Sequence, residues 1–334
     1  VLARPLKDVI KERHFILAFG RIVGKIKARS YEKKRNIIDS GVGLEYSHKY
    51  TVPYMPKIQK QKVYDMAISF LTPHYFVEQK VRAKKKIAWI HTDYSKVQIN
   101  VESELKMWKK YDKIVSISDA VTESFLKVFP DLKDKIVVIE NILPEQLIYK
   151  QMDEFDVSEE MFSEGVKLLS IGRYCYAKNF DNIPNICSRM LNKGINITWY
   201  IIGFGVAEEL IKEKIREEKM ENHVILLGKK QNPYPYIKAC DIYVQPSRYE
   251  GKSVAVREAQ LIKKPVIITN YSTAKSQLEN EIDGLIVPME NKDCADQMVE
   301  IIQDVEKLRK ISEACSKRDY SNKREVQKLY KLFE

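Results

Sequence analysis

Residues Ser247–Asn270 read SRYEGKSVAVREAQLIKKPVIITN. The segment leading into them, DIYVQPS from Asp241 to Ser247, alternates apolar and polar residues and meets Pro246, which predicts a strand that stops at the carboxyl edge of a sheet. A polar loop carrying Glu250 follows. Ser253 is placed to cap a helix running to about Ile262, in which Val254, Val256, Ala259, Leu261 and Ile262 form one loose apolar stripe. Glu258 falls about a turn and a half inside that helix at roughly 3.6 residues per turn. The β-branched run PVIITN then starts the next strand at once. A strand, a short loop and a helix start is where an open parallel sheet binds ligands, because the first-turn amides have no partner within the helix and face the crevice beyond the strand ends. An anion is therefore expected near Lys252, Ser253 and Val254, and the two carboxylates beside it suggest recognition of hydroxyls. Taken alone, Glu250 and Glu258 would be ordinary solvated acids.

Outward from this stretch the same unit repeats. From Val166 the chain runs strand, loop, helix: KLLSIG with NFDNIPNICSRML, ITWYIIG with VAEELIKEKI, VILLG with PYPYIKA, then the central stretch, then GLIVP with DCADQMVEII. Such units joined by short loops predict an α/β doubly wound parallel sheet. Gly172-Arg173 and Lys178 lie beyond the first strand of this series, where two cations can meet a pyrophosphate, Arg in bidentate fashion and Lys as a point charge. Read singly, both are surface charges. Gly203-Phe204-Gly205 follows the second strand but lacks the third glycine of a dinucleotide fingerprint.

Together these residues resemble the E-x7-E element of GT-B glycosyltransferases, in particular the retaining family 4, the group 1 enzymes of bacterial capsule and exopolysaccharide synthesis. The resemblance covers about Tyr64 to the C-terminus and is most specific between Ser170 and Pro288. It implies a GT-B fold of two Rossmann-like domains facing a cleft, and metal-independent, retaining transfer of a sugar from a nucleotide-sugar donor, most simply UDP-linked, to a lipid-linked or glycan acceptor. It further implies that Glu250 faces the donor sugar as a catalytic residue, that the backbone of Lys252, Ser253 and Val254 meets sugar and phosphate, and that Glu258 binds the ribose. Arg173 and Lys178 match the cations of the family's G-R-x(4)-K-G pattern, which contact the donor diphosphate. Gly172, Gly203 and Gly205 border the nucleotide, and Lys229 to Asn232 sits where the family holds the nucleobase. Two departures stand out: Lys252-Ser253 replaces the common Phe-Gly after Glu-Gly, and Asn179 replaces the second glycine after Lys178.

Composition narrows the alternatives. A chain of 334 residues is comfortable for two cores. No apolar run approaches the ~18 residues of a membrane span, and no signal-peptide pattern appears. The five cysteines are an odd number without C-x-x-C, the histidines form no H-x-x-x-H or H-E-x-x-H, and D-x-D is absent. These features fit a cytoplasmic protein, peripheral to the membrane's inner face, and disfavour a metal-dependent transferase; no cofactor is expected. Residues 1–150 carry 29 Lys and Arg against 17 Asp and Glu, so the whole of the net charge of +11 lies in the first half. A one-sided basic domain calls for an anionic partner. Nucleic acid is not expected, because no recognised RNA or DNA motif accompanies the charge. A basic nucleic-acid-binding protein and a GT-B nucleotide-sugar epimerase are the rival readings.

In chain order, Val1 is not an initiator methionine and the chain opens in mid-pattern, so the first strand and Gly-rich loop of the N-terminal domain are expected to lie outside the given sequence. Pro5 to about Arg29 predicts one basic amphipathic helix, either packed on its own sheet with a solvated basic face or lying on an anionic membrane surface. Ser40 to Lys62 reads as irregular, with Pro53 and Pro56. Strands are expected at Tyr64–Phe70, Lys86–Ile90, Lys113–Ile117 and Lys135–Ile139, with helices at about Val97–Lys110 and from a Ser118 cap to about Phe129. His91 follows the second of these strands, and family 4 chains with a histidine there make it a second catalytic candidate. The domains are read as 1–150, an acceptor-side Rossmann-like domain; 151–165, a linker; 166–311, the nucleotide-sugar-binding domain; and 312–334, a C-terminal helical segment returning to the first domain through Val326, Leu329, Tyr330, Leu332 and Phe333.

Overall fold

A computed structural model describes residues 4–37 and 41–333; Val1, Ser40 and Glu334 lie outside the described residues. The chain forms two compact units, Val1–Glu140 with Glu325–Glu334, and Asn141–Arg324.

The first unit holds a parallel sheet of β1 (Tyr64–Ser69), β2 (Ala83–Ile90), β3 (Lys113–Ser116) and β4 (Ile136–Val138), adjacent in chain order. β2 enters through three lysines and becomes fully buried over Ile87–Ile90, as a strand covered on both faces must. Trp108, Phe125 and Phe129 pack beside it in the core. The helix Val101–Trp108 is capped by Asn100, and Ser118 caps Asp119–Val128 by accepting the Val121 amide at 3.2 Å.

Two expectations for this unit fail. The basic helix is interrupted: Leu6–Lys11 ends where Arg13 takes a left-handed φ of 60°, and a second helix runs Phe15–Arg35. The segment read as irregular is instead helical at Val42–Thr51, and Pro53 is accommodated in a following 3-10 turn, Val52–Tyr54, where its missing N–H costs no hydrogen bond. These helices form a close pair because the longer one presents Gly20 and Gly24. A Cβ on either would stand 2.5 Å from the Tyr50 carbonyl oxygen or 2.6 Å from that of Tyr46.

The second unit is a six-stranded parallel sheet of β5 (Val166–Ile171), β6 (Ile197–Ile202), β7 (Val224–Gly228), β8 (Ile242–Gln245), β9 (Val266–Thr269) and β10 (Leu285–Val287), in the order β10-β9-β8-β5-β6-β7. The order reverses between β5 and β8, where Leu169 lies opposite Tyr243. This is a topological switch point, and the crevice that such a reversal opens lies beyond Gly172 and Gln245. β6, β8 and β9 are buried at every position, so the apparent alternation of DIYVQPS does not mean that its polar residues face water.

The division between units falls at Glu140–Asn141, not in a linker at 151–165. Leu143, Ile148, Val157 and Met161 enter the core of the second unit, and burying them fixes the segment that its acidic composition suggested would be free. At the other end the change of unit comes at Glu325, not Ser312. Tyr320 is buried and donates its hydroxyl to Asp283 at 3.0 Å, holding residues 312–324 to the second unit. Leu329 of the last helix, Glu325–Lys331, and Leu332 just beyond it pack on the core of the first unit, while Tyr330 and Phe333 stay exposed.

Candidate active site

The loops after β5 and β8 meet at the switch point. Lys178 extends from the first and donates from Nζ to Glu250 Oε1 of the second at 2.5 Å, with the two side chains only 18% and 13% exposed. The same Oε1 accepts Ser247 Oγ at 2.7 Å. Behind Ser247 a file of side chains runs into the sheet: Gln245 Nε2 donates to Ser247 Oγ at 2.9 Å, and Tyr243 OH donates to Gln245 Oε1 at 2.8 Å. Thr269 and Thr273 fasten the loop backbone, donating to the carbonyls of Ser247 at 2.6 Å and Glu250 at 2.9 Å. Tyr243, Gln245 and Ser247 direct one another in turn, and Glu250 Oε1 is held by two donors, Ser247 and Lys178.

Glycines bring the backbone to this point. A Cβ on Gly172 would stand 2.9 Å from Lys178 Cε, and one on Gly203 would stand 1.9 Å from the Gly172 carbonyl oxygen. Gly205 similarly lies against the Tyr174 carbonyl. Asn179, where the resembling pattern has glycine, has φ 61° and ψ 24°, the left-handed region that Asn tolerates best among residues with a Cβ, and Asn182 Nδ2 donates to its Oδ1 at 2.6 Å. Arg173 is exposed and has no hydrogen-bond or ion-pair partner among the described residues.

The helix Val254–Leu261 starts beyond Glu250, but Ser253 does not cap it through its hydroxyl. Gln277 takes over that edge: its Oε1 accepts the Ser253 amide at 2.6 Å and its Nε2 donates to the Ser253 carbonyl at 3.2 Å. The Ser253 amide is therefore engaged inside the protein, and an anion at this helix start is left to its neighbours in the first turn. Lys252 and Val254 line a small pocket there with Arg257, Asn141 and Asn322.

Glu258 lies further along the same helix. Its Oε1 accepts the Tyr234 hydroxyl at 2.9 Å, and burial raises its carboxyl above the usual range. Tyr234 opens the short helix Tyr234–Ala239, and nothing in its sequence context marks it as a partner of Glu258. Lys229 lies over the ring of Phe204 at 5.2 Å, joining the loops after β6 and β7. Asn232, expected near the nucleobase, is engaged within the protein. Its Nδ2 donates to the Gln151 carbonyl and Glu154 Oε2, both at 2.8 Å, and its Oδ1 accepts the Tyr234 amide at 3.1 Å, so it ties residues 151–154 to the helix start.

His91 belongs to the first unit, at the carboxyl end of β2. It lies between Phe70, whose ring centroid is 4.4 Å away, and Trp89, stacked at 6.5 Å. Burial lowers its pKa, which keeps the imidazole neutral, and its Nε2 has no partner among the described residues. A neutral ring with a buried free nitrogen can donate or accept one hydrogen bond, according to tautomer.

Residues 151–320 match the family described as Glycosyl transferases group 1. Among curated proteins, the chain is 24% identical over 206 residues to the N-acetylgalactosamine-N,N'-diacetylbacillosaminyl-diphospho-undecaprenol 4-alpha-N-acetylgalactosaminyltransferase of Campylobacter jejuni, covering 61% of this chain and 54% of that one. It is also 24% identical over 136 residues to the poly(ribitol-phosphate) alpha-N-acetylglucosaminyltransferase of Staphylococcus aureus, covering 40% of this chain and 28% of the relative. The matched part thus spans about half the length of such relatives or less. Among solved structures, a mutant of S. aureus TarM in complex with Fondaparinux, alpha-GlcNAc-glycerol and UDP superposes with a TM-score of 0.67 at 19% identity, covering 86% of this chain and 59% of that one. Sucrose-phosphate synthase from Thermosynechococcus elongatus gives a TM-score of 0.68 at 15% identity, covering 81% and 73%. The two parallel-sheet α/β units are those of the GT-B fold.

Proposed function

The chain belongs to the group 1 glycosyl transferases, and we propose that it moves a sugar from a UDP-linked donor to a lipid-linked or glycan acceptor in bacterial surface polysaccharide assembly, with retention of configuration and with its own cations, not a metal, stabilising the leaving group. The observation that carries this reading is the Lys178–Glu250 pair at the switch point, with Arg173 exposed beside it on the same loop. Bond cleavage at the sugar's anomeric carbon leaves charge on the diphosphate. Arg173, Lys178 and the first turn of Val254–Leu261 are preorganised to receive that charge, which is the largest contribution a site without a nucleophile can make. Glu250 faces the sugar, Glu258 the ribose, and His91 is the candidate on the first unit. The diphospho-undecaprenol acceptor in the Campylobacter relative's name and the UDP in the TarM complex support the choice of acceptor and donor classes. Release of UDP only when an acceptor is present separates this reading from an epimerase.

The ribose assignment rests on a carboxylate that already accepts one hydroxyl, from Tyr234. Glu258→Ala should weaken UDP by on the order of tenfold, the worth of one or two charge-assisted hydrogen bonds. Calorimetry giving equal UDP affinity for wild type and variant would remove Glu258 from the ribose.

An anionic membrane surface is the proposed further partner. The helix Phe15–Arg35 buries its small residues Ala18, Gly20, Gly24 and Ala28 and turns Phe15, Ile16, Phe19 and Ile26 outward, each 59–65% exposed. Arg13, Lys25, Lys27 and Arg29 are exposed around them. An outward apolar stripe edged by cations matches acidic lipid, with attraction of ~1 kcal/mol per cation at the surface. In vesicle sedimentation the protein should bind only acidic lipid, lose binding as salt rises, and lose most of it when Lys25, Lys27 and Arg29 become glutamate. Equal binding to neutral and acidic vesicles, or to neither, contradicts this.

A further inference from the structure

Between the two loops of the site sits a residue that the donor-binding roles leave unused. Arg248 is two positions before Glu250, and its guanidinium spans the Asp181 carboxylate in a two-pronged pair, Nη1 to Oδ1 at 2.9 Å and Nη2 to Oδ2 at 2.6 Å. Nη1 also donates to the Tyr176 carbonyl at 2.7 Å, and the guanidinium lies 4.2 Å from the centroid of the Tyr176 ring. The Arg248 amide donates to the Ala177 carbonyl at 2.8 Å. Both charged side chains are largely shielded, 17% and 18% exposed.

We propose that Arg248 is a positioning residue for the donor diphosphate, locking the loop of Arg173 and Lys178 onto the loop of Glu250. The inference rests on the diphosphate role proposed above for those cations. Its physical content is geometric. All the Arg248 contacts described fall on Tyr176, Ala177 and Asp181, which flank Lys178, so they fasten the loop of Lys178 to the strand end that leads to Glu250. A lysine ammonium would keep the charge but forfeit the two-pronged fork, because it is a point charge on a flexible stem. Asp181 is the second half of the clamp and acts only through Arg248.

The test compares UDP, UMP and uridine binding to wild type, Arg248→Lys, Asp181→Asn and the charge swap Arg248→Asp with Asp181→Arg, with thermal melting of each. The expected result is a loss of ~10-fold in UDP affinity for each single variant, a smaller loss for UMP and none for uridine, with part of the UDP loss restored in the swap. A role in stability alone would lower the melting temperature and leave the ratio of UDP to uridine affinity at its wild-type value, which would overturn the proposal. Wild-type protein that binds uridine and UDP alike would instead overturn the diphosphate site itself, so the two failures are distinguishable.

Discussion

Glu250→Gln should lower sugar-transfer turnover by on the order of 10²- to 10³-fold, the scale seen when one preorganised electrostatic contact to a reacting centre is removed. The affinity for UDP should hold or tighten. The variant keeps the volume of the side chain, so the loop fastened by Thr269 and Thr273 is not disturbed. It removes the charge that occupies Lys178 at 2.5 Å, and a lysine freed from that carboxylate is available to phosphate. Steady-state rates beside calorimetry on the same preparations give the answer. A UDP affinity that falls as steeply as turnover would make Glu250 a nucleotide ligand instead of a sugar-facing group.

Removing either cation should cost tenfold or more in UDP affinity and leave uridine affinity almost unchanged, since a charge-assisted hydrogen bond is worth about 1.5–3 kcal/mol. The two substitutions differ in a second observable. Lys178→Ala strips the ion-pair partner from a Glu250 side chain that is 13% exposed, so it should also lower the melting temperature. Arg173 is exposed and unpartnered among the described residues, so Arg173→Ala should change binding without changing stability. Parallel losses for uridine and UDP would place the clamp elsewhere.

The sheet of the second unit was legible because its strands are short apolar runs separated by loops and helices at regular intervals, and the site was legible as charged residues beyond strand ends; the strand order that makes β5 and β8 neighbours was not. The chemistry around Glu250 was legible only in part. Tyr243, Gln245 and Ser247 alternate with apolar residues, and alternation signals a strand whose polar side meets water; here β8 is central and buried, and those polar residues meet one another and Glu250. Period-2 spacing identifies one face but not what covers it. The Arg248–Asp181 pair joins positions 67 apart, and Gln277 reaches Ser253 across 24, separations at which no local pattern operates. The same limit explains the basic helix. Its apolar positions promise one buried stripe, yet Gly20 and Gly24 allow backbone-close packing that the larger residues would prevent, so the small-residue face is the one buried. Asn232 was singled out by its place after β7, and the hydrogen bonds by which it holds residues 151–154, which sequence composition read as a linker, were not legible.

Native mass spectrometry of the protein incubated with a panel of nucleotide sugars decides whether the switch point of the second unit holds a nucleotide sugar. A UDP-sugar should be retained by wild type, and clearly less by both Glu258→Ala and the Arg173→Ala, Lys178→Ala double variant. Retention of no nucleotide sugar by wild type, or equal retention by wild type and both variants, would contradict this expectation.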